Sequence, residues 1–383
     1  MNKIAYWCPF ISVGGVVKLI INSSISLARY SKDKYNIEII SFFGEWYDYY
    51  NTFSDHNIRL TNFFPKKFKK YFPIGGYFFS RVTFILIFLF SLIPLFKYLE
   101  KKKPDFLVAH LLTSVPIFLY NFFNFETKLI LRISGMPKLN FIRKYFWKIS
   151  NRNISLVVVP TIETYKDLVE SKIFPKNKVF VVNDPIINVS EINKLIKESE
   201  EKKTINFGKN YFLSIGRLTK QKNQKILIKA FNEFNKYNKN FELVILGEGE
   251  LRSDLESLVK KLGLVKKVHF IGQVKNVFGY IKKSTAVISA SLWEECSYVL
   301  IEAAYTNLII HSNCKSGPKE FIENNQCGYL FNKNSYVDLA KTMLKFLNEN
   351  NKQVYQKKLN AKIKTKEYTC FSHYKKFSKV LMQ

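Results

Sequence analysis

What this chain has least of narrows its reading first. Its five cysteines (Cys8, Cys296, Cys314, Cys327 and Cys370) are irregularly spaced, with no CxxC pair. Neither a structural zinc site nor a disulfide framework is therefore expected. Their odd number, and an N-terminus without the pattern of a signal peptide, point to a reducing cytoplasm. Arginine is equally scarce, at eight of the 60 basic residues. Nucleic-acid readers lean on arginine for bidentate contacts to bases and phosphates, so the formal charge of +30 is not taken as a nucleic-acid footprint. Lysine rises here together with Asn, Ile, Phe and Tyr, as an AT-rich genome would encode. The remaining partner for such charge is an anionic lipid surface. One long apolar run occurs, residues 82–96, flanked by Arg81, Lys97 and Lys101 to Lys103. A membrane-spanning helix needs about 20 such residues; this run is shorter and contains Pro94. A buried helix and an interfacial one both fit it.

What is present describes a soluble globular balance rather than a disordered chain. The chain has 383 residues, 47% hydrophobic and 23% charged, enough for two domains with cores of their own. Short apolar strands are expected over 3–8, 37–42, 105–110, 128–133 and 156–160, and helical periodicity over 17–28. The alternation starts again at 211–215 and continues with strands at 241–246, 268–271, 285–290 and 308–312. Helices are expected between them at 224–237, 251–262, 276–283 and 297–305. Alternating strands and helices mean parallel sheets covered on both faces. The two halves meet in a Lys/Glu/Asn-rich stretch, 185–210, that reads as a helix plus linker.

Parallel sheets bind ligands beyond the carboxyl ends of their strands, and three such places carry suitable chemistry. The strand 285–290 runs into Ser291-Leu292-Trp293-Glu294-Glu295-Cys296-Ser297 and then into a helix. A helix start there suits a phosphate, and Glu294 and Glu302 supply carboxylates that grip hydroxyl groups. An isolated pair of this spacing would ordinarily be a surface loop and a helical glutamate. Gly216-Arg217-Leu218-Thr219-Lys220-Gln221-Lys222-Asn223 follows another strand, with fixed positive charge at Arg217 and Lys222. Gly247-Glu248-Gly249-Glu250 follows a third; such turns are mostly plain loops. In the first half, Ser12 to Val16, containing Gly14 and Gly15, is a flexible turn before a helix, and His110 ends a strand. A lone histidine there is as readily structural as functional.

Taken together, the run from Glu294 to Glu302, the loop Ser316-Gly317-Pro318-Lys319-Glu320, Gly328-Tyr329-Leu330 and the Gly216 loop resemble family 4 of the retaining glycosyltransferases. The resemblance implies the GT-B fold: two Rossmann-like domains with parallel sheets facing across a cleft. Residues 1–187, with a C-terminal helix at about 366–383 packing back on them, would form the acceptor side. Residues 188–365 would form the donor side. It further implies transfer of a sugar, with retention, from a nucleotide-sugar donor (UDP or GDP type) to a saccharide or lipid-linked acceptor, with no cofactor and no obligatory metal. The pathway implied is bacterial surface polysaccharide, capsule or lipopolysaccharide assembly. Arg217 and Lys222 would hold the donor diphosphate, Glu294 the sugar and Glu302 the ribose. Backbone groups of Ser297, Tyr298 and Val299, with Gly216, Gly247, Gly14 and Gly15, would border the ligands, and His110 would stand in the active site. Departures remain. Arg132-Ile133-Ser134-Gly135 has no histidine where many members have one beside glycine. Asn183-Asp184-Pro185 replaces an Asn-Gly turn. Asn307 replaces a glycine after the helix, a substitution that a left-handed asparagine would tolerate. Two other readings stay open: another GT-B enzyme such as a nucleotide-sugar epimerase, and a non-catalytic membrane-surface module. The cytoplasmic face of a membrane is the expected location, through attachment of the first domain by residues 82–96 and the cluster Lys66-Lys67-Phe68-Lys69-Lys70.

Overall fold

The structure, a computed structural model, describes residues 1–11, 14–73, 76–135, 140–201, 210–314, 317–323 and 326–383. Ser12, Val13 and Ser316, named above, lie outside them. The chain divides into two compact units, Met1–Pro185 with Cys370–Gln383, and Ile186–Thr369. Inside the second, the amides of Ile186 and Ile187 both donate to the Tyr368 carbonyl, at 2.8 and 2.9 Å, so its entry and exit segments are tied together.

Among the described residues the first unit has seven parallel strands: β1 (Asn2–Trp7), β2 (Tyr35–Ser41), β3 (Arg59–Asn62), β4 (Phe106–Ala109), β5 (Lys128–Arg132), β6 (Leu156–Val159) and β7 (Val179–Val181), in the order β3-β2-β1-β4-β5-β6-β7. β4 and β6 are buried along their whole length, because helices cover both faces of the sheet. Successive side chains feed opposite layers. Ala5 and Trp7 of β1 join Leu95, Leu99, Val115 and Trp147 from helices on one face. Ile4 and Tyr6 join Val17, Ile20, Phe377 and Val380 on the other. The C-terminal helix Cys370–Leu381 thus completes the first unit's core. His373 seals the contact: its Nε2 shares a hydrogen bond with Ser23 Oγ (2.8 Å) and its Nδ1 one with the Asn183 carbonyl (2.8 Å).

The second unit has six parallel strands among the described residues: β8 (Asn210–Ile215), β9 (Phe241–Leu246), β10 (Val268–Gly272), β11 (Ala286–Ser289), β12 (Ile309–Ser312) and β13 (Tyr329–Phe331), in the order β10-β9-β8-β11-β12-β13. The stretch expected to be a helix plus linker holds a helix, Val189–Glu201, and that helix belongs to this unit. Helix Val189–Glu201 packs Ile192 into its core, and Asn276 Nδ2 donates to the Leu195 carbonyl (2.7 Å) and to Ser199 Oγ (2.8 Å). Asn307 departs from expectation. Its backbone is extended, not left-handed, and its side-chain amide bonds the carbonyls of Ile281 (2.6 Å) and Ser284 (2.7 Å). The residue was kept for its amide, not for its backbone freedom.

Residues 82–96 form the middle of a longer helix, Gly76–Lys102, with Pro94 inside it. By length and composition Arg81–Lys102 is long and apolar enough to cross a membrane, and a third of its most apolar window is buried. Ile87, Leu95 and Leu99 face the unit's interior, whereas Ile85, Leu89 and Ile93 are exposed. The helix is therefore apolar on both faces but covered on one.

Candidate active site

Each sheet reverses its winding direction once, between β1 and β4 in the first unit and between β8 and β11 in the second. Crevices for ligands open at such switch points, beyond the carboxyl ends of the strands. In the second unit the loops flanking this point are the Gly216 loop after β8 and the Ser291–Ser297 loop after β11. They are stitched together: the Leu292 amide donates to the Gln221 carbonyl (2.8 Å), and Gln221 Nε2 donates to the Trp293 carbonyl (2.9 Å). Across that seam the Lys222 ammonium donates to Glu294 Oε1, with side chains only 18% and 9% exposed. Ser291 Oγ donates to the same oxygen at 2.8 Å. Glu294 Oε2 has no hydrogen bond among the described residues. The two residues expected to grip donor phosphate and donor sugar are therefore direct partners.

Glycine shapes the floor of this crevice. Gly247, after β9, has φ +129°, and a Cβ on it would stand 2.1 Å from the Gly216 carbonyl oxygen. Only glycine lets the two loops touch there. At Gly216 a Cβ would meet the Lys222 stem at 3.3 Å. Arg217 differs from Lys222: its side chain is exposed, and no hydrogen bond or ion pair engages it among the described residues. Asn223, left-handed at φ 54°, ends the loop and starts helix Gln224–Asn235, which sets the direction in which Lys222 leaves the backbone.

Helix Tyr298–Thr306 begins at Ser297, whose side chain does not cap it. Tyr298 and Val299 form its first turn, and Glu302 follows one turn on, buried at 8% exposure. A helix start with its positive dipole end at the carboxyl edge of a sheet favours an anion. The Gly317 amide donates to the Glu295 carbonyl (3.0 Å), so the next loop braces this one.

The sequence reading missed one member of the cluster. His311, on β12, is fully buried, and burial pushes its pKa down to about 4, with the charges of Glu294 and Lys222 acting on it in opposite senses. Its Nδ1 faces the Ser312 carbonyl at 2.8 Å and so carries the proton, while Nε2 has no partner. Ser312 Oγ in turn donates to the Ser291 carbonyl (2.5 Å), supporting the serine that holds Glu294. A histidine one residue before the end of an apolar strand was the available signal.

In the first unit, His110 follows β4 and its amide donates to the Trp7 carbonyl (2.9 Å), across the switch point. The ring is stacked on Tyr6, buried, and has no hydrogen bond at Nδ1. Burial first, then the positive charge of Arg132, hold its pKa well below the usual histidine range, so it is neutral. Gly14 and Gly15 stand at the start of helix Gly15–Tyr30; Gly14 is extended, with open space where a Cβ would be. Arg132 does not replace the missing histidine. It is buried against Asp184 and bonds the carbonyls of Ile133 and Val158, so both departures from the family pattern are absorbed into one internal ion pair.

Residues 196–364 match the family described as Glycosyl transferases group 1. An uncharacterized glycosyltransferase of Methanocaldococcus jannaschii is 33% identical over 248 residues, 59% of this chain and 60% of that one. An alpha-1,4-N-acetyl-D-galactosaminyltransferase of Campylobacter jejuni, named for a saccharide on PP-undecaprenol, is 36% identical over 170 residues, 43% of this chain and 46% of that one. The chain thus spans about half the length of these relatives. A crystal structure of Anabaena HepE in complex with UDP matches the whole of both chains at 15% identity with a TM-score of 0.73. The fold is that of the GT-B glycosyltransferases.

Proposed function

We propose that the chain is a retaining glycosyltransferase that moves a sugar from a nucleotide diphosphate to a saccharide or lipid-linked acceptor in bacterial surface polysaccharide or lipopolysaccharide assembly. The observation that carries this reading is the buried Lys222–Glu294 pair beside Gly216 at the second unit's switch point. A diphosphate laid along this loop meets two cations, Lys222 and Arg217, and approaches backbone because Gly216 and Gly247 carry no side chain. Glu294 Oε2 accepts from hydroxyls of the sugar, and Glu302 from the ribose. As the bond from the anomeric carbon to the phosphate oxygen breaks, the two cations stabilise the charge growing on the leaving diphosphate. The acceptor hydroxyl forms its bond on the same face and passes its proton to that phosphate oxygen, which explains retention without a protein nucleophile. The UDP bound by the Anabaena neighbour supports a uridine nucleotide, with a guanosine one as the comparison. Thermal-shift measurements with UDP- and GDP-sugars test this, because a ligand bound only by the folded state raises its stability. A rise with one nucleotide class, and release of free nucleotide only when acceptor is added, is expected. Absence of binding to any nucleotide sugar sinks the reading; release without an acceptor dependence sinks transfer.

The first unit supports attachment to the cytoplasmic face of a membrane. Ile85, Leu89, Phe90 and Ile93 are 55–66% exposed on helix Gly76–Lys102, with Arg81 and Lys97 on the same helix and Lys66 and Lys70 in the preceding turn. Apolar side chains between cations suit insertion at the headgroup level. The buried face of the helix, built into the core, argues for lying on the bilayer over crossing it.

A further inference from the structure

A cavity of about 370 Å³ opens in the second unit between helix Val189–Glu201, the ends of helices Phe278–Lys283 and Tyr298–Thr306, and helix Asn351–Lys364. Among the described residues no carboxylate lines it, whereas the side chains of Lys282, Lys358 and Lys362 do. Two of these lysines have partners. Lys282 pairs with Glu200 at 2.5 Å, and the Lys362 ammonium stands 5.3 Å from the centre of the Tyr305 ring. Lys358 has no hydrogen bond or ion pair among the described residues, and burial lowers its pKa. The rest of the wall mixes polar groups, Asn193, Thr306 and the two tyrosines Tyr305 and Tyr355, with the aliphatic Ile196 and Leu359.

Helix ends account for two of the three cations. Lys282 and Lys362 each stand in the last turn of a helix, where the dipole favours positive charge. Lys358 has no such reason to be there. It lies one turn before Lys362, a spacing at which like charges repel, and it is half withdrawn from water, which disfavours its charged form. An anion between the two ammonium groups offsets both costs. Tyr355 lies three residues before Lys358 on the same face of the helix, and it is 67% exposed. Its ring therefore offers a flat apolar surface beside the two cations. Helix Tyr298–Thr306 begins at the candidate active site and ends at this cavity. Its nine residues set the two places about 13 Å apart, so what binds here is not the reacting donor.

We propose that this cavity binds an organic phosphate, its phosphate group between Lys358 and Lys362 and its ring against Tyr355, at a site separate from the candidate active site. The proposal does not depend on the glycosyltransferase reading, and its test is binding to the full chain. Isothermal titration calorimetry compares inorganic phosphate and glycerol 1-phosphate, which have no ring, with phenyl phosphate and glucose 6-phosphate. The ringed phosphates should bind about fivefold or more tightly than the ringless ones. Lys358→Gln keeps helix propensity close to that of lysine and should weaken every phosphate by about tenfold. Tyr355→Ala should remove the gain from the ring and keep the binding of inorganic phosphate. Limited acetylation mapped by mass spectrometry should show Lys358 and Lys362 protected by phenyl phosphate. Tighter binding of phenyl phosphate upholds the site for an aromatic, nucleotide-type ligand; tighter binding of glucose 6-phosphate upholds it for a sugar phosphate. Equal affinity for ringed and ringless phosphates, or affinity unchanged in Lys358→Gln, overturns the proposal. Binding lost in Arg217→Ala but kept in Lys358→Gln also overturns it, by assigning the anion to the candidate active site.

Discussion

Replacing Lys222 by methionine removes a charge that the structure uses twice, and the two uses can be measured apart. In the resting protein the ammonium neutralises Glu294, a carboxylate whose side chain is 9% exposed. Stripping one partner from a buried pair costs about 3–5 kcal/mol. Here Ser291 still donates to Glu294 at 2.8 Å and the lysine side chain is 18% exposed, so a loss of roughly 2–3 kcal/mol is expected. For a unit the size of the second, each kcal/mol moves the melting temperature by about 2–4 °C, giving a drop of roughly 4–12 °C. In the proposed reaction the same ammonium would face the leaving diphosphate, and its loss should then lower kcat by about a hundredfold, or roughly 3 kcal/mol. Adding Glu294→Gln to Lys222→Met removes the stranded charge. Stability should then recover by on the order of 1–2 kcal/mol, while turnover stays low. Differential scanning fluorimetry and steady-state kinetics on the two single variants and the double variant close the cycle. Near-normal turnover in Lys222→Met with a lowered melting temperature would make the pair purely structural and refute the catalytic argument.

Arg217→Ala should reduce turnover about a hundredfold with no change in melting temperature, since its side chain engages nothing in the described structure; a change in stability without a change in rate would contradict this. Glu302→Gln should weaken nucleotide binding by calorimetry and leave kcat nearly intact, because a ribose contact is equal in ground and transition states; the opposite pattern exchanges its role with that of Glu294. Acid should destabilise the protein well above the carboxylate range: burial keeps His311 and His373 at about 4, so between pH 6.5 and 5 the unfolded chain binds protons that the native one refuses. Stability therefore falls as pH falls, by roughly 2 kcal/mol per histidine at pH 5, and urea titrations showing none of this, or the same slope in His311→Gln, would rule it out. On liposomes, flotation should require anionic lipid and reverse at high salt; equal recovery on neutral vesicles would end the electrostatic account of membrane attachment.

The parts of the fold that were legible in the sequence are those whose environment is uniform. β4 reads Phe106-Leu107-Val108-Ala109 and β6 Leu156-Val157-Val158-Val159 because both faces are covered, and an unbroken apolar run is all that such a position demands. The strands that escaped notice, β3, β7 and β13, are sheet edges three or four residues long. An edge strand pairs on one side only and tolerates sequences such as Arg59-Leu60-Thr61-Asn62, in which periodicity has nothing to register. Helix Val189–Glu201 was expected within the stretch 185–210, but its packing was not legible there: what anchors it is Asn276, a residue 77 positions from its partner Ser199.

The site divides along the same line between what a motif carries and what only neighbouring strands create. Arg217, Lys222, Glu294 and Glu302 were picked out only together, as members of short runs whose combination resembles a known family. That Lys222 and Glu294 touch was not legible, because they are 72 residues apart and meet only because β8 and β11, far apart in the chain, are adjacent in the sheet. His311 needed one step more. Its neighbours Ser312 and Ser291 come from β12 and from the loop after β11, and its neutral state follows from burial that no local pattern reveals. The same logic governs His110. Read alone it was an even choice between structure and function; buried and uncharged, it is poorly suited to act as a cationic acid. A neutral imidazole there still offers one donor and one acceptor nitrogen to a hydroxyl group.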